Sequence, residues 1–185
     1  MKGPRGAALP LAAIGLVLGI ASALLGADWV EDALDMLLAP SGHGRMSFSG
    51  AARVVDGDTL EIDGRRVRLA GVDAPELAQT CTGGDGQSLP CGQQVRVALS
   101  AFIGHGVVSC MEAGTDRFER TLARCRVRGQ DLGEWLVANG LAAAYAGQSG
   151  KPLRAAEATA RAAGAGLWAG EFERPGAWRR RRGDD

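Results

Sequence analysis

Alternating apolar and polar positions predict a β-rich region that begins near residue 51. Short β-rich runs at Ala51–Asp56 and Thr59–Asp63 are followed by a third at Arg66–Ala70. Asp63-Gly64, between the second and third runs, is a hairpin signal. Two further strand-like runs at 107–110 and 121–127 follow later in the chain, with a turn between them. The pattern therefore predicts a three-strand meander and a separate hairpin.

Helical spacing of apolar residues predicts three helices in the same part of the chain, at 93–103, 131–139 and 152–164. Asp131 suits the N-cap of the second helix, and Pro152 suits the first turn of the third. The order βββ-α-ββ-α-α predicts an α+β fold. A five-strand β-barrel of OB type with three packed helices fits this order.

An apolar run near the N-terminus indicates export. Gly6–Ala27 carries no charge over 22 residues, and Lys2 and Arg5 precede it. As a helix this run would span roughly 33 Å, enough for a bilayer core, and the basic residues would stay in the cytoplasm. It is either a retained signal-anchor or a signal peptide cleaved near Ala21–Ala23. We expect a protein that is anchored facing the periplasm or exterior, or one that is secreted or periplasmic.

The remaining segments complete the predicted organisation. After the signal-anchor or signal peptide at 1–27, residues 28–47 are expected to form a juxtamembrane helix and linker. A folded domain at 48–178 follows, and then a basic tail at 179–185 that contains Arg179–Arg182. The tail is either a solvated end or a grip on anionic lipid or a nucleic-acid backbone.

Composition and charge limit the possible classes of protein. The chain has 185 residues, 46% of them hydrophobic, which fits one domain with a real core plus appendages. Lys and Arg total 21, as do Asp and Glu, so the formal net charge is +0. Neutrality argues against a protein that coats nucleic acid through overall basic charge, although it leaves a local site possible.

The four cysteines predict disulfides. No CxxC motif is present, and neither His43 nor His105 has a partner at zinc-ligand spacing. Four cysteines allow three pairings. A hairpin would place Cys110 opposite Cys125 and leave Cys81 to pair with Cys91, which is the pairing we expect in an exported chain. Four free thiols are the alternative.

A group of acids at predicted strand ends is the strongest candidate for chemistry. These acids are Asp56, Asp58, Asp73 and Glu76, and Arg68 lies on the third strand. Converging carboxylates can share a hard cation such as Ca²⁺, while an arginine beside them can hold a phosphate. The alternative is that these acids are ordinary turn residues, as Asp before or after Gly often is.

Three sequence motifs closely resemble those of the thermonuclease family, the staphylococcal nuclease-like domain. They are Val55–Leu60 (VDGDTL), Val67–Glu76 (VRLAGVDAPE) and Asp116–Ala123 (DRFERTLA). Leu136–Ala142 and the closing Gly166–Trp168 also match, so the resemblance covers roughly residues 48–178. It implies a five-strand OB barrel with three helices, in agreement with the pattern above. It also implies a Ca²⁺-dependent phosphodiesterase that acts on DNA and RNA, with no obligate protein partner and an expected monomeric state.

Matched motif by motif, the resemblance assigns a role to each site residue. Asp58, Asp73 and the backbone carbonyl of Ala74 would be Ca²⁺ ligands, with Asp56 as an acid beside them. The resemblance places Arg68 and Arg120 on the scissile phosphate. Glu76 would orient or deprotonate the attacking water, and the 5′-oxygen would leave.

The sequence departs from the family in several places. Glu119 stands where the family often has Gly, and it would either pair with Arg120 or point to solvent. Only Tyr145 remains where two tyrosines can line the nucleotide pocket, which predicts weak base stacking.

Two other classes of function compete with the nuclease. One is a catalytically silent nucleic-acid-binding module, and the other is a membrane-anchored structural protein. A silent copy would be expected to lack some of the five matched residues, which are all present here. A structural protein would have no reason to hold both arginine motifs.

Overall fold

Ten strands and four α-helices form the folded part of the chain in the computed structural model, which describes residues 47–116, 118–145 and 147–183. The strands are β1 (Ser47–Val54), β2 (Thr59–Ile62), β3 (Arg65–Leu69), β4 (Val72–Asp73), β5 (Cys81–Thr82), β6 (Ser88–Leu89), β7 (Val107–Thr115), β8 (Thr121–Val127), β9 (Gln130–Asp131) and β10 (Ala143–Ala144). The helices are α1 (Cys91–Ile103), α2 (Leu132–Ala138), α3 (Lys151–Ala162) and α4 (Pro175–Arg182), with a short 3₁₀ turn at Gly166–Ala169 before α4.

The five longer strands close into a barrel. Antiparallel pairing joins β3, β2, β1, β7 and β8 in that order. β3 then runs parallel to β8, with Arg68 opposite Leu122, and this pairing closes the sheet. The predicted α+β fold with a five-strand barrel is therefore confirmed.

Alternation along the strands explains why one face of each lies in the core. On β3, Val67 and Leu69 are buried, whereas Arg66 is exposed. On β8, the residues at every second position from Ala123 to Val127 are buried in the same way. Successive side chains of a strand point to opposite faces, so this pattern holds the strand register in place.

The three predicted helices are present with slightly shifted ends. Asp131 caps α2 by accepting a hydrogen bond from the backbone N of Glu134 at 3.1 Å. Pro152 lies in the first turn of α3, as predicted. Sequence analysis missed α4, because its arginine run has no apolar periodicity and its packing depends on residues far away in the chain.

Both expected disulfides are present. Cys110 on β7 and Cys125 on β8 are directly opposite each other, with their Cα atoms 4.0 Å apart. Cys81 bonds to Cys91, which is the first residue of α1, and so ties the loop after β4 to that helix.

The predicted N-terminal elements, the signal-anchor or signal peptide at 1–27 and the juxtamembrane helix and linker at 28–47, lie outside the described residues apart from position 47. Within the described part of the chain, no helix is both long enough and apolar enough to cross a membrane.

Helix α1 offers a test of core packing. Leu99 is completely buried, whereas Val97 on the same helix is 59% exposed. We expect Leu99→Ala to lower the free energy of unfolding by about 2–5 kcal/mol, because it removes buried methyl groups and leaves a cavity. Val97→Ala should change it by less than about 0.5 kcal/mol. Urea denaturation of both variants checks this, and equal losses would contradict the placement of α1.

Candidate active site

Two buried carboxylates, Asp58 and Asp73, form the centre of the site. Asp58 precedes β2 and Asp73 ends β4, and their residues are only 3% and 6% exposed. Arg68 on β3 bridges them, with its Nη1 2.6 Å from Asp58 Oδ1 and its Nη2 3.4 Å from Asp73 Oδ1. Burying two like charges is costly, so the shared guanidinium is needed to hold them together.

The turn before β2 holds the Asp58 carboxylate in place. The Oδ2 of Asp58 accepts a hydrogen bond from the backbone N of Ala74 at 3.1 Å, and the Oδ1 of Asp58 accepts one from Thr59 Oγ1 at 3.2 Å. Asp56 closes the turn by accepting the backbone N–H of Asp58 at 3.0 Å. Burial raises the pKa of Asp58 above its ordinary value; Arg68 opposes this rise, and the charges of Asp56 and Asp73 add to it.

A close approach explains the glycine between the two acids of this turn. A Cβ on Gly57 would lie 2.6 Å from the Cβ of Ala74 and 2.9 Å from Val95 on α1. Only glycine therefore lets the turn pack against the Ala74 segment. Gly57 thus allows the turn that carries Asp56 and Asp58 to lie against the segment that follows Asp73.

Glu76 follows Asp73 on a loop that is anchored from two sides. The side chain of Gln79, which is fully buried, accepts the backbone N–H of Glu76 on its Oε1 at 3.3 Å. Gly92 in α1 leaves room for this loop, because a Cβ there would lie 1.8 Å from the Glu76 carbonyl oxygen. The Glu76 side chain remains 31% exposed, and its Oε1 lies 2.6 Å from Arg179 Nη1.

Arg120, just before β8, is oriented by Asp116. The Arg120 Nε lies 2.6 Å from Asp116 Oδ2, and its backbone N donates to Asp116 Oδ1 at 2.9 Å. Partial burial would raise the pKa of Asp116, but the hydrogen bonds from Arg120 and from the backbone N of Phe118 lower it. Glu119 is exposed and has a φ of 60°, a conformation that suits glycine.

One cleft of about 830 Å³ brings the accessible candidates together. Its lining includes Asp56, Arg68, Glu76, Arg120 and Tyr145, five of the residues singled out in the sequence. Arg68 connects this cleft to the two buried carboxylates. The cleft combines acids, guanidinium groups and an aromatic ring, so it can hold a phosphate group beside a nucleobase.

The structure adds residues to the cleft that sequence analysis missed. The exposed ring of Phe118 lines it, and so do Trp178, Arg179 and Arg180 from α4. The solvated-end interpretation of the tail is therefore wrong for Arg179, which contacts both Asp73 and Glu76. The spacing of Asp116 and Arg120 could have indicated their pairing, whereas nothing in the run of four arginines distinguishes Arg179 from its neighbours.

Oxygen donors make the site suitable for a hard cation. In the described part of the chain, no group of three His, Cys, Asp or Glu side chains is arranged to hold a metal ion. The predicted ligands are instead two carboxylates and the Ala74 carbonyl, which is the type of ligand that Ca²⁺ takes. Asp58 Oδ2 and Asp73 Oδ2 each accept one backbone hydrogen bond, which leaves each oxygen further acceptor capacity. The residues present therefore fit a hard cation in the chemistry of their donor atoms.

Comparison with known proteins identifies the family. The family model described as "Staphylococcal nuclease homologue" matches residues 66–170, more than half of the chain. Succinoglycan biosynthesis protein ExoI of Rhizobium meliloti is 39% identical over 126 residues, which are 67% of this chain and 66% of ExoI. An uncharacterized endonuclease of Haemophilus influenzae is 34% identical over 135 residues, which are 69% of this chain and 70% of that protein.

Another relative is also named as an endonuclease. Probable endonuclease LCL3 of Verticillium alfalfae is 35% identical over 133 residues, which are 64% of this chain and 43% of LCL3. The chain thus spans about two thirds of the first two relatives and less than half of LCL3. The family match covers β3 to the 3₁₀ turn and includes Arg68, Asp73, Glu76 and Arg120. The chain therefore belongs to the staphylococcal nuclease homologue family, and its folded domain is a nuclease domain, a phosphodiester hydrolase.

Proposed function

We propose that this protein is an exported, Ca²⁺-dependent nuclease that hydrolyses phosphodiester bonds of DNA and RNA. One observation supports this most directly: Arg68, Glu76 and Arg120 line the same cleft, and Arg68 contacts both buried carboxylates. A phosphate in this cleft would meet two guanidinium groups and a candidate base together.

The two arginines would bind the scissile phosphate. Asp116 engages the Nε of Arg120, and the Nη1 and Nη2 groups form the fork that suits two phosphate oxygens. Asp58 and Asp73 already hold the Arg68 side chain, so it loses little conformational entropy when it binds substrate. Both charges offset the negative charge that builds on the phosphorus during attack.

Glu76 would act on the water. Its side chain is partly exposed and lines the cleft, as a general base must. It would orient the attacking water and take its proton, so that the water oxygen bonds to phosphorus while the bond to the 5′-oxygen breaks. The leaving 5′-oxygen would take a proton from solvent, so the products would be a 3′-phosphate and a 5′-hydroxyl.

Calcium would be held by Asp58, Asp73 and the Ala74 carbonyl, beside Arg68. When bound, the ion supplies positive charge that stabilises the developing negative charge on the phosphate. Asp56 lies next to this set and holds the Asp58 backbone rather than the ion.

The aromatic residues of the cleft would contact the bases. Tyr145 lines it, and the exposed ring of Phe118 lies 5.4 Å from the Arg120 guanidinium. Stacking on an aromatic ring tolerates every base, which suits a nuclease without sequence preference. Phe118 would supply the second ring that the sequence comparison with the family predicted to be missing.

The runner-up function is a nucleic-acid-binding module without catalysis. The convergence of Arg68, Glu76 and Arg120 on one cleft favours the enzyme. Cleavage assays with conservative variants distinguish the two.

We expect the full-length protein to cleave single-stranded DNA and RNA, and Glu76→Gln to lower kcat by about 10²–10⁴-fold through loss of the base. Arg68→Lys should cost about 10²–10³-fold, because an ammonium cannot span two acids and a phosphate. The surface pair Arg53–Glu61 provides matched controls, and Arg53→Lys and Glu61→Gln should leave the rate unchanged. Binding without cleavage by the wild type would support the silent module instead.

Removal of calcium should abolish activity. We expect EGTA to lower the rate by more than about 10²-fold and excess Ca²⁺ to restore it. Ca²⁺ should also raise the Tm, because a ligand that binds only the native state stabilises it. Asp73→Asn should reduce that Tm shift. Full activity in EGTA would contradict the calcium proposal while leaving the nuclease intact.

Export is proposed from the uncharged run at 6–27 and from the two disulfides, which form in oxidising compartments. In a bacterial host, cysteines of the wild type should resist a maleimide reagent until a reductant is added. Leu16→Arg with Leu18→Arg should block membrane insertion and leave the thiols free, because charges in the apolar run are costly there. A gel-shift assay reports both states, and reduced cysteines in the wild type would argue against export.

A further inference from the structure

The guanidinium of Arg179 joins two of the acids in the proposed active site. Its Nη1 lies 2.6 Å from Glu76 Oε1, and its Nη2 lies 3.1 Å from Asp73 Oδ1. The Arg179 side chain is 18% exposed. Partial burial by itself would lower the pKa of Arg179, but its hydrogen bonds to Glu76 and Asp73 outweigh this effect and raise the pKa above its ordinary value. Arg179 is therefore a permanent cation between these two acids.

The position of Arg179 is fixed by the docking of α4. Pro175 and Trp178 are buried, and the backbone N of Gly176 donates to Asp73 Oδ2 at 3.1 Å. A carboxylate at a helix N-terminus also interacts favourably with the helix dipole. Asp73 is thus held by α4 at two points, Gly176 and Arg179.

The segment before α4 is joined to the Glu76 loop as well. Gln79 Nε2 donates to the carbonyl of Glu173 at 2.6 Å, while the same side chain accepts the backbone N–H of Glu76. Thr82 and Glu171 exchange two backbone hydrogen bonds at 2.8 and 3.0 Å, next to the Cys81–Cys91 disulfide. The Glu76 loop and the C-terminal segment therefore form one hydrogen-bonded body.

We propose that Arg179 is a positioning residue for Glu76, so that the C-terminal helix α4 is a working part of the active site. The inference rests on the proposed nuclease function, in which Glu76 acts on water. Arg179 holds Glu76 Oε1, which restrains the carboxylate and leaves Oε2 to act on the water. A base held in one orientation reacts faster than one that samples many, because misplacement by 1 Å can cost about 10²-fold.

Kinetics of the full-length protein test this role. Arg179→Met keeps most of the apolar stem but removes the contacts to Glu76 and Asp73, and we expect kcat to fall about 10–100-fold while KM changes less than about threefold. Arg179→Lys keeps the charge but cannot span both acids, so it should recover only part of the rate. Arg181→Met is the matched control, since Arg181 is exposed on the same helix and pairs only with Glu173 among the described residues. It should leave kcat unchanged.

A double-mutant cycle identifies the residue through which Arg179 acts. In a Glu76→Gln background, Arg179→Met should cause no further loss in kcat, because the base that it positions is already absent. An additive loss would overturn the proposal and indicate that Arg179 acts through its contact with Asp73 or on the phosphate itself. A higher KM with unchanged kcat in the single variant would overturn it as well and indicate direct phosphate binding. Unchanged kcat in Arg179→Met would also overturn the proposal. An increased kcat would overturn it too, because it would indicate that Arg179 lowers the activity of the wild-type site.

The outcomes separate this inference from the proposed function. A wild type without cleavage refutes the nuclease. A wild type that cleaves and a Glu76→Gln variant that does not, together with full activity of Arg179→Met, refute the Arg179 inference alone. Thermal unfolding of each variant shows whether it is folded. If Arg179→Met does not fold, the kinetics of Arg179→Lys decide the question. Full wild-type kcat in Arg179→Lys refutes the inference, and a lowered kcat with unchanged KM supports it.

Discussion

Burial of two carboxylates side by side is the constraint on which the rest of this site depends. Asp58 and Asp73 lie in the protein interior, where unpaired charges are costly, and each must be compensated by donors from the surrounding chain. Arg68 bridges both acids, the Ala74 backbone N–H satisfies Asp58, and the Gly176 backbone N–H satisfies Asp73. These donors come from β3, from the segment after β4 and from the C-terminal helix. The site thus requires the barrel and the chain's last helix together.

The C-terminal segment has a structural reason to be close to the site. The 81–91 disulfide ties the loop after Glu76 to the start of α1, and the same loop pairs with Glu171. Buried Gln79 then connects the Glu76 backbone to the Glu173 carbonyl. The loop beside the cleft is therefore held on two sides, which keeps Glu76 in place.

Charge balance in the cleft explains how a chain with no net charge can serve a polyanionic substrate. Most acids of the site are paired with arginines: Asp58 and Asp73 with Arg68, Glu76 with Arg179, and Asp116 with Arg120. Arg180 of α4 adds a further cation to the lining. The local charge that a phosphate meets is set by this arrangement and not by the overall composition.

Local signals in the sequence are enough to predict the barrel, three helices and both disulfides, because alternation, capping residues and hairpin turns each act over a few residues. The sequence also identified Arg68, Glu76 and Arg120, whose motifs are contiguous, and the structure places these three on one cleft. Tertiary packing, by contrast, docks α4 at the cleft and brings Arg179, one of four consecutive arginines, to Asp73 and Glu76. The physical reason is distance along the chain: that contact spans about a hundred residues, and no local pattern encodes it.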